Sequence, residues 1–182
     1  MDYKKIYGDL FKTNYNLDPD NEYRYTLVHE FLKNNEIKSF IDIGSGKGIV
    51  VNFVKTNYPD IELLSSDLEK YHNHEIDFVE INLCDTETYK NVNKKYDLLT
   101  CLDVIEHIDK DCVDNTLKFL SEISHVSILT IANHSDIQNG VEVHRIQEDM
   151  TYWSPLIEKY FDILSFNTYY NERLYVLKLK TK

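Results

Sequence analysis

Glycine and proline are scarce in this chain, five and three residues of 182, and they never combine into a linker. No internal repeat or low-complexity segment interrupts it, and its length suits one domain with a single core. Long apolar runs are also missing. No 18 consecutive apolar residues occur, and Met1-Asp2-Tyr3-Lys4-Lys5 leads into no apolar signal segment. A membrane-spanning helix is therefore not expected, and the expected location is cytoplasmic. Cysteine is sparse. Cys84, Cys101 and Cys112 make no Cys-x-x-Cys spacing and are odd in number, so neither a disulfide framework nor a zinc cluster is expected, and a reducing compartment suits them. Basic charge is short as well: 20 Lys and Arg against 31 Asp and Glu give a net charge of −11, offset only by a tail of Lys178, Lys180 and Lys182. Such a surface repels phosphate backbones, which disfavours long nucleic acid as a partner but leaves a nucleotide in a local pocket open.

Against this sparse background, Phe40-Ile41-Asp42-Ile43-Gly44-Ser45-Gly46-Lys47-Gly48 stands out. Apolar residues around one acid read as a buried strand, followed by three glycines at alternate positions and the apolar start of a helix, Ile49 to Val54. Strand, glycine turn and helix N-terminus together let backbone approach a ligand closely. The spacing is neither the dinucleotide pattern G-x-G-x-x-G nor the P-loop pattern ending in G-K-[ST]. It is G-x-G-x-G with an acid two residues ahead.

The rest of the chain alternates. Strands are expected near 38–43, 61–66, 77–82, 96–102, 125–132, 161–168 and 173–180, and helices near 47–57, 86–94, 109–123 and 148–160. Alternation of this kind predicts a parallel sheet with helices on both faces. The last two strands differ, because the short turn around Asn171-Glu172 forces an antiparallel pair. Ahead of the sheet, residues 1–35 read as a leader with a short helix, then a helix from Glu22 to Asn34 capped by Asn21. Residues 36–182 form the main domain.

Three further places carry chemistry. Asp67 ends the second strand about 20 residues beyond the glycines, where a carboxylate meets ribose hydroxyls in nucleoside-binding folds, and Leu68 beside it can pack on a base. Only ten residues then separate Asp67 from Phe78, so the connection between strands two and three is shortened to a loop or a single turn. Asp103-Val104-Ile105-Glu106-His107 follows the fourth strand. After the fifth strand, residues 133–149 hold His134, His144, Arg145 and several amides. With an ordinary pKa near 6.5, either histidine can take a proton from a hydroxyl or amine, and His144 is the stronger candidate.

The acid-plus-GxGxG loop, Asp67 and the terminal hairpin together resemble class I S-adenosylmethionine (SAM) dependent methyltransferases, over roughly residues 36–180. The strand running into Glu106-His107 is similar to that of small-molecule and quinone-pathway O-methyltransferases. The resemblance implies an α/β fold: a three-layer αβα Rossmann-like sheet of about seven strands, mostly parallel with a C-terminal antiparallel hairpin. It implies that Asp42, Gly44, Ser45, Gly46 and Gly48 form the cofactor-binding loop, with Gly44 and Gly46 beneath the methionine portion of SAM and Gly48 permitting close helix–strand packing. It also implies that Asp67 and Leu68 hold the nucleoside, and that Leu102 and Asp103 line the methionine portion. For the adenine, either Asn82 with Leu83 or Asp85 with Cys84 fits the family's pattern. Catalysis falls to His144, His107, Glu106 and His134. Asp103, Glu106 and His107 with a distant His144 also resemble the metal site of the small-RNA 2′-O-methyltransferases, which implies a divalent metal ion as a second cofactor. The expected reaction is direct in-line methyl transfer to oxygen or nitrogen of a small-molecule, sugar or nucleotide-type acceptor, by a monomer or homodimer. The leader, with Tyr3, Tyr7, Phe11, Tyr15 and Tyr23, is expected to act as a lid. The rival readings are a SAM-binding partner module without activity and a nicotinamide-dependent oxidoreductase.

Overall fold

The computed structural model describes residues 3–12 and 22–182. Two helices, α1 (Tyr3–Phe11) and α2 (Glu22–Asn34), precede β1 (Ser39–Ile43), α3 (Ile49–Asn57), β2 (Glu62–Asp67), β3 (Asp77–Glu80) and β4 (Tyr96–Leu102). Then follow α4 (Val113–Glu122), β5 (Ser124–Ala132), the two short strands β6 (Ile137–Gln138) and β7 (Val141–Glu142), α5 (Met150–Ile157), β8 (Phe161–Tyr169) and β9 (Leu174–Thr181). The expected cap at Asn21 and the aromatic Tyr15 lie outside the described residues.

Seven strands form one sheet in the order β3-β2-β1-β4-β5-β9-β8. The first five pair in parallel, while β9 runs antiparallel to both β5 and β8. The expected αβα layout and terminal hairpin are thus present. Period-2 alternation sends neighbouring residues to opposite faces. Phe40 and Leu98 join Val28, Val51 and Val54 under α2 and α3, whereas Ile41, Ile43 and Leu99 join Leu117, Leu120 and Trp153 under α4 and α5. Trp153 is fully buried and belongs to the core.

The loop between β2 and β3 contains no helix, as the ten-residue spacing requires. Residues 86–91 form a 3₁₀ helix where a longer helix is expected, and Lys110–Cys112 is a 3₁₀ turn ahead of α4. The polar segment after β5 is more ordered than its composition suggests. Residues 137–142 make a hairpin whose two-residue turn, Asn139-Gly140, has positive φ at both positions, the geometry that Asn-Gly favours.

One expectation about cysteine fails. Cys84 and Cys112 are joined as a disulfide, and the free thiol among the described residues is the buried Cys101. Odd number and irregular spacing speak only about local patterns. The pairing arises because the chain leaving β3 and the start of α4 meet beside β4, a contact 28 residues apart.

Candidate active site

Strand order reverses between β1 and β4, and a cavity opens at the C-terminal ends of these strands, where ligands of doubly wound folds bind. The glycine loop supplies its floor. Gly44 and Gly46 both have positive φ and both line the cavity. A Cβ on Gly44 would lie 2.4 Å from Val104, and one on Gly46 would press on the Phe11 ring at 3.2 Å. Gly48 does not reach the cavity. It heads α3, and a Cβ there would meet His72 and His74 at 2.7 and 2.9 Å. Its place is to let the β2–β3 loop pack on the helix start, so the expected packing role is met against a loop instead of a strand, and Gly48 is not a wall residue of the cavity.

Three carboxylates converge on the cavity. Asp42, on β1, accepts a hydrogen bond from Thr100 Oγ1 on β4 at 2.6 Å, and burial pushes its pKa up to about 7 against that bond. Asp67, at the end of β2, accepts from the Gly46 and Leu68 amides at 2.8 and 2.7 Å, so the glycine turn and the acid hold each other. Burial raises Asp67 to about 6. Asp103 differs. Burial would raise it, but the Arg24 guanidinium beside it keeps its carboxyl below the usual range. Tyr23 and Arg24 from α2 donate to Oδ2 at 2.5 and 3.1 Å, and Thr130 donates to Oδ1 at 2.6 Å. Its backbone stands at φ 55°, a strained position for a residue with a side chain, secured by the Asp103 amide on Thr130 Oγ1.

Arg24 was not among the expected site residues, yet it lines the cavity as the cation facing these acids. Only its place in a helix ahead of the sheet, beside Tyr23, hints at this in the sequence. The nucleoside end of the cavity is lined by Leu68, Ile81, Asn82, Leu83 and Cys84. Asp85 caps the following 3₁₀ helix through the Glu87 amide and does not line the cavity, whereas Asn82, Leu83 and Cys84 do. Ser45, Ser66, Asp42, Leu102 and Asp103 complete the wall. Ser45 Oγ and Ser66 Oγ are buried and have no hydrogen-bond partner among the described residues. Orphaned hydroxyls, and the Asp42 and Asp67 carboxyls raised by burial, fit a polar ligand carrying an ammonium group and hydroxyls.

A second cluster adjoins this cavity. Glu106, His107 and His144 each place a donor atom within 4.8 Å of the others. Glu106 is fully buried; its Oε1 accepts from the Ala132 amide at 2.9 Å, while Oε2 has no partner among the described residues. Burial, then the nearby Asp103 charge, raise its pKa well above the carboxylate range. His107 Nδ1 lies 2.9 Å from the Val143 carbonyl, and His144 Nδ1 lies 2.6 Å from the His134 carbonyl. A carbonyl only accepts, so His144 carries hydrogen on Nδ1 and presents Nε2 as a lone pair, whereas His107 Nδ1 stands between the Val143 carbonyl, to which it can donate, and the Tyr7 hydroxyl, from which it can accept. Burial, then the neighbouring imidazole, lowers His107 to about 4, and burial lowers His144.

Two expectations about this cluster change. Asp103 is not part of it, because Arg24, Tyr23 and Thr130 occupy its oxygens; it is no metal ligand here. His134 packs its ring 4.9 Å from that of His144 and holds His144 through its carbonyl, but its ring nitrogens stay outside the cluster. His107 alone of the three lines the cavity, with Glu106 and His144 behind it. Helix α1 closes the front: Tyr3, Tyr7 and Phe11 line the cavity, and the Tyr7 hydroxyl lies 2.7 Å from His107 Nδ1.

The chain matches the family model described as a methyltransferase domain over residues 16–168, and it belongs to that family. It is a class I SAM-dependent methyltransferase, an enzyme with SAM as cofactor. The nicotinamide-dependent and inactive readings give way to it. Solved structures share the fold. A SAM-dependent methyltransferase from Clostridium acetobutylicum ATCC 824 superposes with a TM-score of 0.68 at 14% identity, covering 98% of this chain and 97% of that one. The methyltransferase domain of bacterial CtHen1-CN gives 0.63 at 19% identity, covering 88% and 98%. Magnesium protoporphyrin IX methyltransferase from Synechocystis PCC 6803, solved with bound S-adenosylhomocysteine (SAH), gives 0.63 at 14% identity, covering 88% and 81%. No curated protein matches the sequence. Among the described residues, no helix is long and apolar enough to cross a membrane.

Proposed function

We propose that this enzyme methylates the oxygen, or less favourably the nitrogen, of a small-molecule, sugar or nucleotide-type acceptor. The observation that carries this reading is the Glu106–His107–His144 cluster at the cavity wall, with an unpartnered Glu106 oxygen and two imidazoles hydrogen-bonded to backbone carbonyls. SAM supplies a methyl group already activated by the sulfonium. Asp42, Ser45 and the amides of the glycine loop would hold its methionine portion with Arg24 facing the carboxylate; Asp67 would hold the ribose, and Leu68, Asn82 and Leu83 the adenine.

The protein's own contribution is alignment, exclusion of water and handling of one proton. A hydroxyl is a weak nucleophile until its proton has somewhere to go. His107 faces the cavity, unprotonated at neutral pH, and is the base best placed to receive it. His144 and Glu106 sit behind His107 and steady it. The α1 helix acts as a lid over the acceptor side, with residues 36–182 carrying the rest of the machinery. The same three residues also suit a divalent ion, since neutral imidazoles and an orphaned carboxylate are a ligand set; such an ion would polarise the acceptor hydroxyl.

The test is transfer of labelled methyl from SAM to a panel of hydroxyl and amine acceptors, by wild type, His107→Asn and Glu106→Gln. Hydroxyl acceptors should be labelled, and both variants should lose about a hundredfold in turnover or more while still binding SAH. Undiminished turnover in both variants would remove the cluster from the chemistry. Mn²⁺ and Mg²⁺ titrations against wild type and His144→Ala address the ion: binding unchanged in the variant would exclude His144 as a ligand.

A further inference from the structure

The bond between Cys84 and Cys112 joins the cavity wall to the start of α4. Cys84 lies on the cavity wall, in the turn 82–85 that follows β3 and is closed by the Asp85 amide on the Asn82 carbonyl at 2.8 Å. Cys112 is the residue from which α4 departs. Their Cα atoms are 5.1 Å apart, and the 28-residue span between them contains β4, Glu106 and His107. Other ties at this place are few. Thr116 Oγ1 and the Tyr89 hydroxyl donate to the Leu83 carbonyl at 3.1 and 2.7 Å, and the Tyr89 ring stacks on Phe119 at 4.1 Å. Both bonded cysteines are half-buried, whereas Cys101 is sealed in the core with its thiol pushed up by burial. Exchange chemistry is thereby confined to the pair.

We propose that Cys84 and Cys112 form a thiol–disulfide exchange site through which low-molecular-weight thiols and disulfides set the enzyme's affinity for its cofactor. The proposal rests on the reading of the cavity as the SAM site. In the oxidising direction, one cysteine thiolate attacks a small disulfide RSSR and expels RS⁻. The second cysteine thiolate then attacks the protein sulfur of the mixed disulfide and expels the other RS⁻. Two cysteine thiols and RSSR thus become the protein disulfide and two RSH, two electrons passing from the cysteines to RSSR. Joined, the nucleobase wall is pinned to α4 before the ligand arrives, so little order has to be imposed on binding. Reduced, the turn keeps its own hydrogen bonds and the buried Leu83 but loses its covalent link to α4, so binding must order the junction between them.

Linkage makes this reciprocal: whatever factor oxidation adds to SAH affinity, SAH adds to the stability of the disulfide. A bond that only stapled the fold away from the cavity would show no such coupling. The experiment equilibrates the full chain over a series of reduced-to-oxidised glutathione ratios, with and without saturating SAH, and reads the disulfide fraction by mass after alkylation. SAH is also titrated calorimetrically into the oxidised and the reduced protein. Reduction should weaken SAH binding about tenfold. Saturating SAH should then move the midpoint by about 30 mV toward more reducing conditions. The double variant Cys84→Ser/Cys112→Ser should bind SAH as the reduced protein does, whatever the glutathione ratio. Equal affinity in both redox states with an unmoved midpoint would overturn the proposal. SAH binding to neither state would overturn the cofactor-site reading itself.

Discussion

The two halves of the active site are built by different means. The cofactor half lies at the ends of adjacent parallel strands, where β1, β2 and β4 place Asp42, Asp67 and Asp103 within one cavity and two glycines keep the floor open. Each residue sits where its own strand ends. The acceptor half is assembled from three separate segments: α1, the turn 103–107 after β4, and the stretch 134–146 around the β6–β7 hairpin. Carbonyl groups of Val143 and His134, and the Ile146 amide on the Glu106 carbonyl at 2.9 Å, lock it together. The first half is a consequence of topology and the second of particular contacts. Cofactor affinity and turnover should therefore separate under mutation.

The largest break should come from Asp67→Ala. Removing a buried acceptor of two backbone amides, and of the ribose hydroxyls, should weaken SAH binding about a hundredfold or more, read by calorimetry. Gly44→Ala strikes the same half through sterics. A Cβ 2.4 Å from Val104 on a left-handed backbone should lower stability by about 2–4 kcal/mol, read as a fall in Tm. Reducing the Cys84–Cys112 bond should lower stability by about 3–4 kcal/mol if loop closure dominates, measured by chemical denaturation with and without reductant.

A pH series sharpens the comparison further. Asp42 has a raised folded pKa of about 7, so between pH 4 and 7 the folded ligand-free protein holds a proton that the unfolded chain has lost. Its contribution to stability therefore falls as pH rises through that window, while SAH affinity, which uses the ionised form, rises. Asp42→Asn should flatten both trends. His107 behaves oppositely. Its folded pKa is lowered to about 4, so the unfolded chain binds the extra proton below about pH 6.5, and stability is lost as pH falls from there toward 4. The smallest expected effect is that of Tyr7→Phe, which keeps the ring over the cavity but removes one hydrogen bond to His107. Turnover should fall about three- to tenfold with SAH affinity unchanged.

The same division explains what the sequence reveals. Strand positions, the terminal hairpin, the missing helix after Asp67 and most of the residues that line the cavity follow from local periodicity, glycine spacing and loop length. Gly48 marks the limit of that pattern: spacing indicates a glycine needed for packing at the helix start, but not that its neighbours are His72 and His74. Elsewhere the decisive contacts are long-range. Nothing near Asp103 indicates that Arg24 reaches it across 79 residues and removes it from the Glu106 cluster. The Cys84–Cys112 bond is hidden for the same reason. Asn139-Gly140 is different, since that pair does mark a hairpin locally, and its signal lies within the polar stretch between the two histidines.

The most direct test of this separation is calorimetric titration of SAH into Asp67→Ala and Glu106→Gln side by side with wild type. The account predicts a loss of about a hundredfold or more for the first and a change within about twofold for the second, although Glu106→Gln should be nearly inactive in methyl transfer. Near-wild-type binding by Asp67→Ala, or a comparable loss in both variants, would contradict it.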